Sequence, residues 1–209
     1  MLRSVYAINA GRNNGNTAKF LKKALEGAAA AGAKTELINL TDIPYNGCVG
    51  CLTCKKRTLS GRPKKCYHND PLTPILEKVA KADGLIIGSP VYFWRLSANF
   101  RCFAERFLYP RFSYETGKIT IPSPIKTGLI FTMGGDKDYC TKMDVNPDLI
   151  NYRNYFSSIG PVKDLWVQFT PHVKDYRKWE FGPLFKNRDP PYEEEMKTAF
   201  EIGKFVAIK

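Results

Sequence analysis

Val5-Tyr6-Ala7-Ile8-Asn9-Ala10-Gly11-Arg12-Asn13-Asn14-Gly15-Asn16-Thr17 is the stretch whose reading decides the fold of this 209-residue chain. Val5 to Ile8 is a short apolar run that reads as a buried strand. From Thr17 to Ala31, Phe20, Leu21, Ala24, Leu25 and Ala28 recur on one face at helical spacing. Between strand and helix lies a polar turn. Gly11 and Gly15 let its backbone turn tightly and approach a ligand. Asn16 and Thr17 stand where the helix begins, with free N–H groups and the positive end of the helix dipole. Arg12 adds a fixed positive charge. These parts together fit a phosphate; the alternative is a capped turn with no ligand.

The kind of phosphate is narrowed by what the turn lacks. A nucleoside-triphosphate loop needs G-x-x-x-x-G-K-[ST], but Gly11 and Gly15 are separated by three residues and Asn16 stands where the lysine belongs. The dinucleotide pattern G-x-G-x-x-G is also missing. A single terminal phosphate, as on FMN, fits what remains.

Working outward, Gly32 stops the first helix, and Thr35–Leu40 is the next strand. Pro71–Ala82 restarts a helix, and Gly84–Gly88 is a fully apolar strand of the kind found when both sheet faces are covered. Ser97–Leu108 is helical, with Phe100, Phe103, Ala104 and Phe107 inward. Thr127–Thr132 is a strand, Pro147–Ile159 a helix and Val162–Phe169 a fifth strand. Pro190 and Pro191 open a final helix reaching about Ala207, with Glu193 to Glu195 at the positive end of its dipole. Five strand–helix units predict a parallel sheet with helices on both faces. Their order alone does not separate one doubly wound fold from another. The whole of 1–209 reads as one domain, with a cysteine-bearing loop at 45–70, an aromatic and proline-rich excursion at 109–124, and a tail and helix at 170–209.

Composition sets the outer limits. Hydrophobic residues make up 44% of the chain and no apolar run approaches the roughly 20 residues of a membrane span. The opening Met1-Leu2-Arg3-Ser4-Val5 runs straight into a strand, which predicts a cytoplasmic protein without a membrane partner. The net charge of +12 suits acidic partners. No zinc-finger or RNA-recognition pattern is present, so nucleic acid is not expected.

In a reducing compartment, clustered cysteines hold metal or do redox work more often than they form structural disulfides. Cys48, Cys51 and Cys54 are spaced C-x2-C-x2-C, and Cys66 follows after eleven residues. Thiolates at this spacing can reach three irons of a cubane, with a remote fourth completing it. Free redox thiols and a zinc site are the alternatives. Lys55, Lys56, Arg57, Arg62, Lys64 and Lys65 surround the loop and would either offset thiolate charge or form a solvated basic face. Cys102 reads as core, and Cys140, His68 and His172 receive no role. No Ser–His–Asp or paired-carboxylate constellation points to a catalytic side chain.

Taken together, these motifs resemble the NADPH-dependent FMN reductase and iron–sulfur flavoprotein superfamily. The first turn is similar to its G-S-P-R-x-x-G-N-T loop, Gly88-Ser89-Pro90-Val91-Tyr92-Phe93 to its second FMN loop, and Thr132-Met133-Gly134-Gly135-Asp136 stands at the third. Cys48-Val49-Gly50-Cys51-Leu52-Thr53-Cys54 matches its C-x-G-C-x-x-C. The resemblance implies a flavodoxin-like doubly wound five-stranded parallel sheet in three α/β/α layers. It implies that Arg12, Asn14, Asn16 and Thr17 hold the FMN phosphate within a turn that includes Asn9, Gly11 and Gly15. Pro90, Val91, Tyr92 and Phe93 would line the isoalloxazine with Trp94 beside them, and Thr132, Gly134 and Gly135 would close its other edge; core packing is the alternative for Tyr92 and Phe93. Two departures stand out. Ala10 and Gly11 replace the family's serine and proline, losing a hydroxyl, and Trp94 and Arg95 stand where small residues are common. The resemblance further implies one [4Fe–4S] cluster on Cys48, Cys51, Cys54 and Cys66, the last after a longer gap than usual. It also implies an acidic ferredoxin-like donor, a small-molecule acceptor, and a homodimer or homotetramer in which one subunit's cysteine loop faces the next subunit's flavin. A cluster-free NAD(P)H-dependent FMN or quinone reductase is the second reading, and a non-enzymatic redox carrier or thiol sensor the third.

Overall fold

The apolar run before the glycine turn forms strand β1 (Ser4–Asn9), and the periodic segment after it forms helix α1 (Asn16–Ala30). These belong to a computed structural model that describes residues 2–56, 65–134, 146–169 and 192–208. Gly32, with φ at +83°, ends α1 by turning left-handed, and the Ala33 amide bonds back to the Ala28 carbonyl at 3.1 Å. There follow β2 (Lys34–Asn39), α2 (Leu72–Val79), β3 (Gly84–Tyr92), β4 (Arg95–Leu96) and α3 (Ala98–Leu108). The remainder is β5 (Lys126–Gly134), α4 (Asn146–Ser157), β6 (Val162–Phe169) and α5 (Glu193–Ala207). Pro190 and Pro191, expected to open the last helix, and the tail from Thr170 lie outside the described residues.

The strands pair in the order β2-β1-β3-β5-β6, all parallel. Counting parallel strands alone this is the 2-1-3-4-5 order of the flavodoxin-like doubly wound fold. One addition departs from the expected five strands: β3 runs past Gly88 to Tyr92 and turns back into the two-residue antiparallel β4. Pro90 falls inside β3, past the point where the ladder from β1 ends at Gly88, whose carbonyl accepts from the Ala10 amide at 2.9 Å. On that side Pro90 occupies an edge position, where its missing N–H costs the sheet nothing.

Alternation along the strands builds two cores. Ile8, Leu85, Ile87, Leu129 and Phe131 face α2, α3 and α4, meeting Leu76, Phe100, Phe103, Phe107 and Phe156. Val5, Ala7, Ile86, Ile130 and Val167 face α1 and α5, meeting Phe20, Leu21, Ala24, Ile202 and Val206. Three α/β/α layers follow. Among the described residues no helix is long and apolar enough to cross a membrane.

Helices α1 and α5 cross at backbone contact: a Cβ on Gly203 would stand 1.7 Å from the Ala24 carbonyl oxygen, and one on Gly27 would stand 2.0 Å from that of Phe200. Because the obstacle is backbone, it cannot swing aside. Gly203→Ala should therefore destabilise the protein by about 1–3 kcal/mol or more through forced separation of the two helices, read as a lower urea midpoint.

Candidate functional site

All five parallel strands end at one edge of the sheet, and the first turn lies there between β1 and α1. Its shape is set by the buried carboxamide of Asn9. Its Oδ1 accepts from the Gly11 amide at 3.0 Å, while Nδ2 donates to Asn39 Oδ1 at 3.0 Å and to the Arg12 carbonyl at 3.3 Å. The Gly15 amide closes on the Arg12 carbonyl at 3.0 Å. Asn13 is drawn the other way: Nδ2 donates to Asp42 Oδ1 at 2.6 Å and Oδ1 accepts from Thr41 Oγ1 at 2.7 Å. The turn is thus braced against the end of β2. Gly15 is the N-cap of α1 and has no side chain to cap it, and no acidic residue occupies the first helical turn. The donor end of α1 keeps its attraction for an anion. Around it Arg12 and Asn14 are exposed, Asn16 is half-buried and Thr17 is buried.

The second and third loops meet this turn. Thr17 and Thr132 join through their hydroxyls at 2.7 Å in a buried bond. A Cβ on Gly11 would stand 3.1 Å from Pro90 Cδ and 3.3 Å from Thr17 Oγ1. Gly11, Thr17, Pro90 and Thr132 therefore converge. Ser97, the N-cap of α3, ties them from below: its Oγ donates to the Ala10 carbonyl at 3.0 Å, pairs with Ser89 Oγ at 3.1 Å and accepts from the Phe100 amide. Pro90 and Val91 are buried, whereas Tyr92 and Phe93 are 55% and 96% exposed and so are not core. Phe93 and Trp94 form the two-residue turn between β3 and β4, both left-handed at φ +47° and +64°. Asn or Gly normally fills such positions. Gly134 ends β5 in the open, and Gly135 lies outside the described residues.

The sequence reading missed Asn13, Asn39, Thr41, Asp42 and Ser97. One signal was available: Asn9 and Asn39 close two adjacent strands and are register partners.

The cysteines gather at the other end of α3. Cys48, Cys51, Cys54 and Cys66 border one cleft, walled by His68, Glu105, Arg106, Tyr109 and Pro110. Among the described residues no three His, Cys, Asp or Glu side chains converge closely enough to chelate a single ion. A cubane offers its irons at separate corners, so its thiolates need not converge on one point. Both flanks of the loop are pinned. Arg106, 1% exposed, ion-pairs with Asp70 and donates from Nη1 to the Asn46 carbonyl at 2.8 Å and from Nη2 to Thr73 Oγ1 at 2.8 Å. Burial works to lower its pKa, but the bonds to Asp70 and the nearness of the Cys66 sulfur outweigh it, and the pKa stands above the usual arginine value. Asp70 also accepts from the Leu72 and Thr73 amides at the start of α2. Lys55 donates to the carbonyls of Tyr109 and Phe112 and sits 4.3 Å from the Tyr109 ring centre, with Phe112 and Tyr114 around it. It is neither a solvated charge nor a steering one, since a cation over aromatic faces is held in place. Arg57, Arg62 and Lys64 lie outside the described residues, as do Cys140 and His172. Cys102 is half-buried rather than core, because it packs beneath Gly47 at the start of the cysteine loop.

Residues 4–130 match the family model for NADPH-dependent FMN reductase. The chain belongs to the NADPH-dependent FMN reductase family. The match takes in the first two loops and all four cysteines and stops just before Thr132. The chain is similar to an iron–sulfur flavoprotein of Methanocaldococcus jannaschii, 40% identical over 46% of each chain. A Clostridioides difficile iron–sulfur flavoprotein is 32% identical over 46% of this chain and 41% of its own. The chain spans about half the length of the curated relatives it matches. Its fold is that of an NAD(P)H:quinone oxidoreductase from Methanothermobacter marburgensis, with a TM-score of 0.68, 13% identity and 98% of each chain covered.

Two outcomes follow for this family member. Asp70→Asn strands the buried Arg106 charge and should cost about 3–5 kcal/mol, read by urea unfolding. In metal-free protein, hydrogen bonds from Thr53 hold the Cys51 thiol below its usual pKa, whereas burial pushes Cys54 up. Near neutral pH the Cys51 thiolate fraction is therefore the larger, and iodoacetamide should label Cys51 before Cys54, as resolved by peptide mass spectrometry.

Proposed function

We propose that this chain is an iron–sulfur flavoprotein: it binds FMN at the carboxyl edge of the sheet, holds one [4Fe–4S] cluster in the cysteine cleft, and passes electrons between a ferredoxin-like donor and a small-molecule acceptor. The observation that carries the reading is that Cys48, Cys51, Cys54 and Cys66, split by eleven residues in sequence, border one cleft. Four thiolates are the donor set such a cluster takes. FMN, when bound, exchanges one or two electrons and so joins single-electron carriers to two-electron acceptors.

The chain's own residues have separable tasks in this reading. The amides at the start of α1, with Arg12, Asn14, Asn16 and Thr17, take the phosphate. Asn9 holds the Gly11 amide in place and Gly15 leaves the helix end uncapped, so both act by shaping the turn. Pro90 and Val91 form a rigid, water-excluding wall. Tyr92, Phe93 and Trp94 offer aromatic surface beside it, and Thr132 and Gly134 border the far side. The lost serine hydroxyl at Ala10 leaves more of the phosphate's hydrogen bonding to Thr17. Lys56 and Lys65, close in sequence to Cys54 and Cys66, remain as basic residues for an acidic partner, Lys55 being caged. Cytoplasmic placement suits thiols kept reduced.

Ser97 starts α3 at the flavin edge and Arg106 faces the cysteine cleft nine residues later, a rise of about 14 Å. In this reading the protein is a homodimer or homotetramer in which the cysteine loop of one copy faces the flavin edge of another. The family's own description favours the second reading, a cluster-free NAD(P)H-dependent FMN or quinone reductase.

Anaerobic purification tests both. Flavin absorption with a broad visible shoulder and about four irons per chain supports the first reading. Flavin with NAD(P)H oxidation and no iron supports the second, and protein that takes up no flavin overturns both. Thr17→Val should weaken FMN binding about tenfold or more, the loss of one hydrogen bond to a charged group, read by quenching of flavin fluorescence.

A further inference from the structure

Guanidinium carries five N–H donors. In Arg106 four are spent: Nη1 serves the Asn46 carbonyl and Asp70 Oδ2, and Nη2 serves Asp70 Oδ1 at 2.9 Å and Thr73 Oγ1. The fifth, on Nε, is buried and has no partner among the described residues. A buried donor left unmade is costly, so such a group marks a place where another acceptor fits. Arg106 and Cys66 wall the same cleft.

We propose that Arg106 is a positioning residue for the fourth cluster ligand, its Nε–H donating to the Cys66 sulfur once that sulfur is bound to iron. The proposal rests on the cluster reading and adds a specific role within it. The three close cysteines share one short loop, whereas Cys66 arrives from a distant stretch of chain and needs an anchor of its own. Arg106 supplies one from a helix, already immobilised by Asp70. Asn46, two residues before Cys48, and His68, two after Cys66, are drawn to the same network, the latter through Thr73 Oγ1 donating to the His68 carbonyl. A donor and a positive charge at one thiolate also favour the cluster's more negative, reduced form.

Arg106→Lys is the informative variant. Lysine keeps the charge for Asp70 but has three donors for four existing acceptors, leaving none for the cleft. Wild type and variant are reconstituted anaerobically with iron and sulfide, and read for FMN content, thermal midpoint, iron release to a chelator and cluster midpoint potential. The expected result is unchanged FMN content, iron release at least tenfold faster, and a reduction equilibrium shifted about tenfold toward the oxidised form, about 59 mV for one electron. A purely structural role would lower the thermal midpoint and leave the potential of the remaining clusters at the wild-type value; that result overturns the proposal. Wild type that takes up no iron overturns the cluster reading itself, and the proposal with it. Should the variant not fold, pulsed EPR of the reduced wild type grown on ¹⁵N-arginine decides: a nitrogen coupling that changes with the label supports the contact, and an unchanged spectrum overturns it.

Discussion

Strands that run the same way end together, and the backbone at that shared edge has no further ladder to bond to. Short polar side chains take over. Asn9 substitutes its carboxamide for the missing rung, holding the Gly11 amide, the Arg12 carbonyl and Asn39 at once. Ser97 does the same between Ala10 and Ser89, and the Thr17–Thr132 hydroxyl pair spans the gap between the first loop and the third. The phosphate-sized turn exists because these groups fill a deficit that the parallel sheet creates. Remove the constraint of common direction and neither the deficit nor the site would arise.

The second centre is built on the opposite logic. The cysteine loop has no ladder of its own among the described residues. It is tied down from outside by two cations of contrasting kind. Arg106 works from within the core through directed bonds to Asp70, Asn46 and Thr73. Lys55 works at the surface, seated among three rings and two carbonyls. A guanidinium fixes orientation, whereas an ammonium over aromatic faces fixes position without direction. One helix, α3, joins the two centres, with Ser97 serving one and Arg106 the other.

What could be read from the residues alone follows the range of the forces involved. Period-2 and period-3.6 patterns are local, so Val162–Phe169, the helix behind the first turn and the layered sheet are legible. Gly32 is legible as a stop because its left-handed turn needs no partner. The extension of β3 through Pro90 is not legible, since whether a strand accommodates proline depends on what lies beside it, and β1 stops two residues short. Arg106 sits among inward-facing phenylalanines and looks like a flank of the helix. Its burial depends on Asp70, thirty-six residues earlier, which no local period encodes. The β3–β4 turn is hidden for another reason: Phe93-Trp94 carries none of the chemistry by which such turns announce themselves.

That same turn has a consequence for how the molecule is free to vary. Each side-chained residue held left-handed costs roughly 1–2 kcal/mol against its relaxed conformation, and glycine would remove the cost at both places. With Phe93 almost wholly in water, the strain is carried not in the interior but at a solvent-facing tip, where it holds an aromatic surface on display.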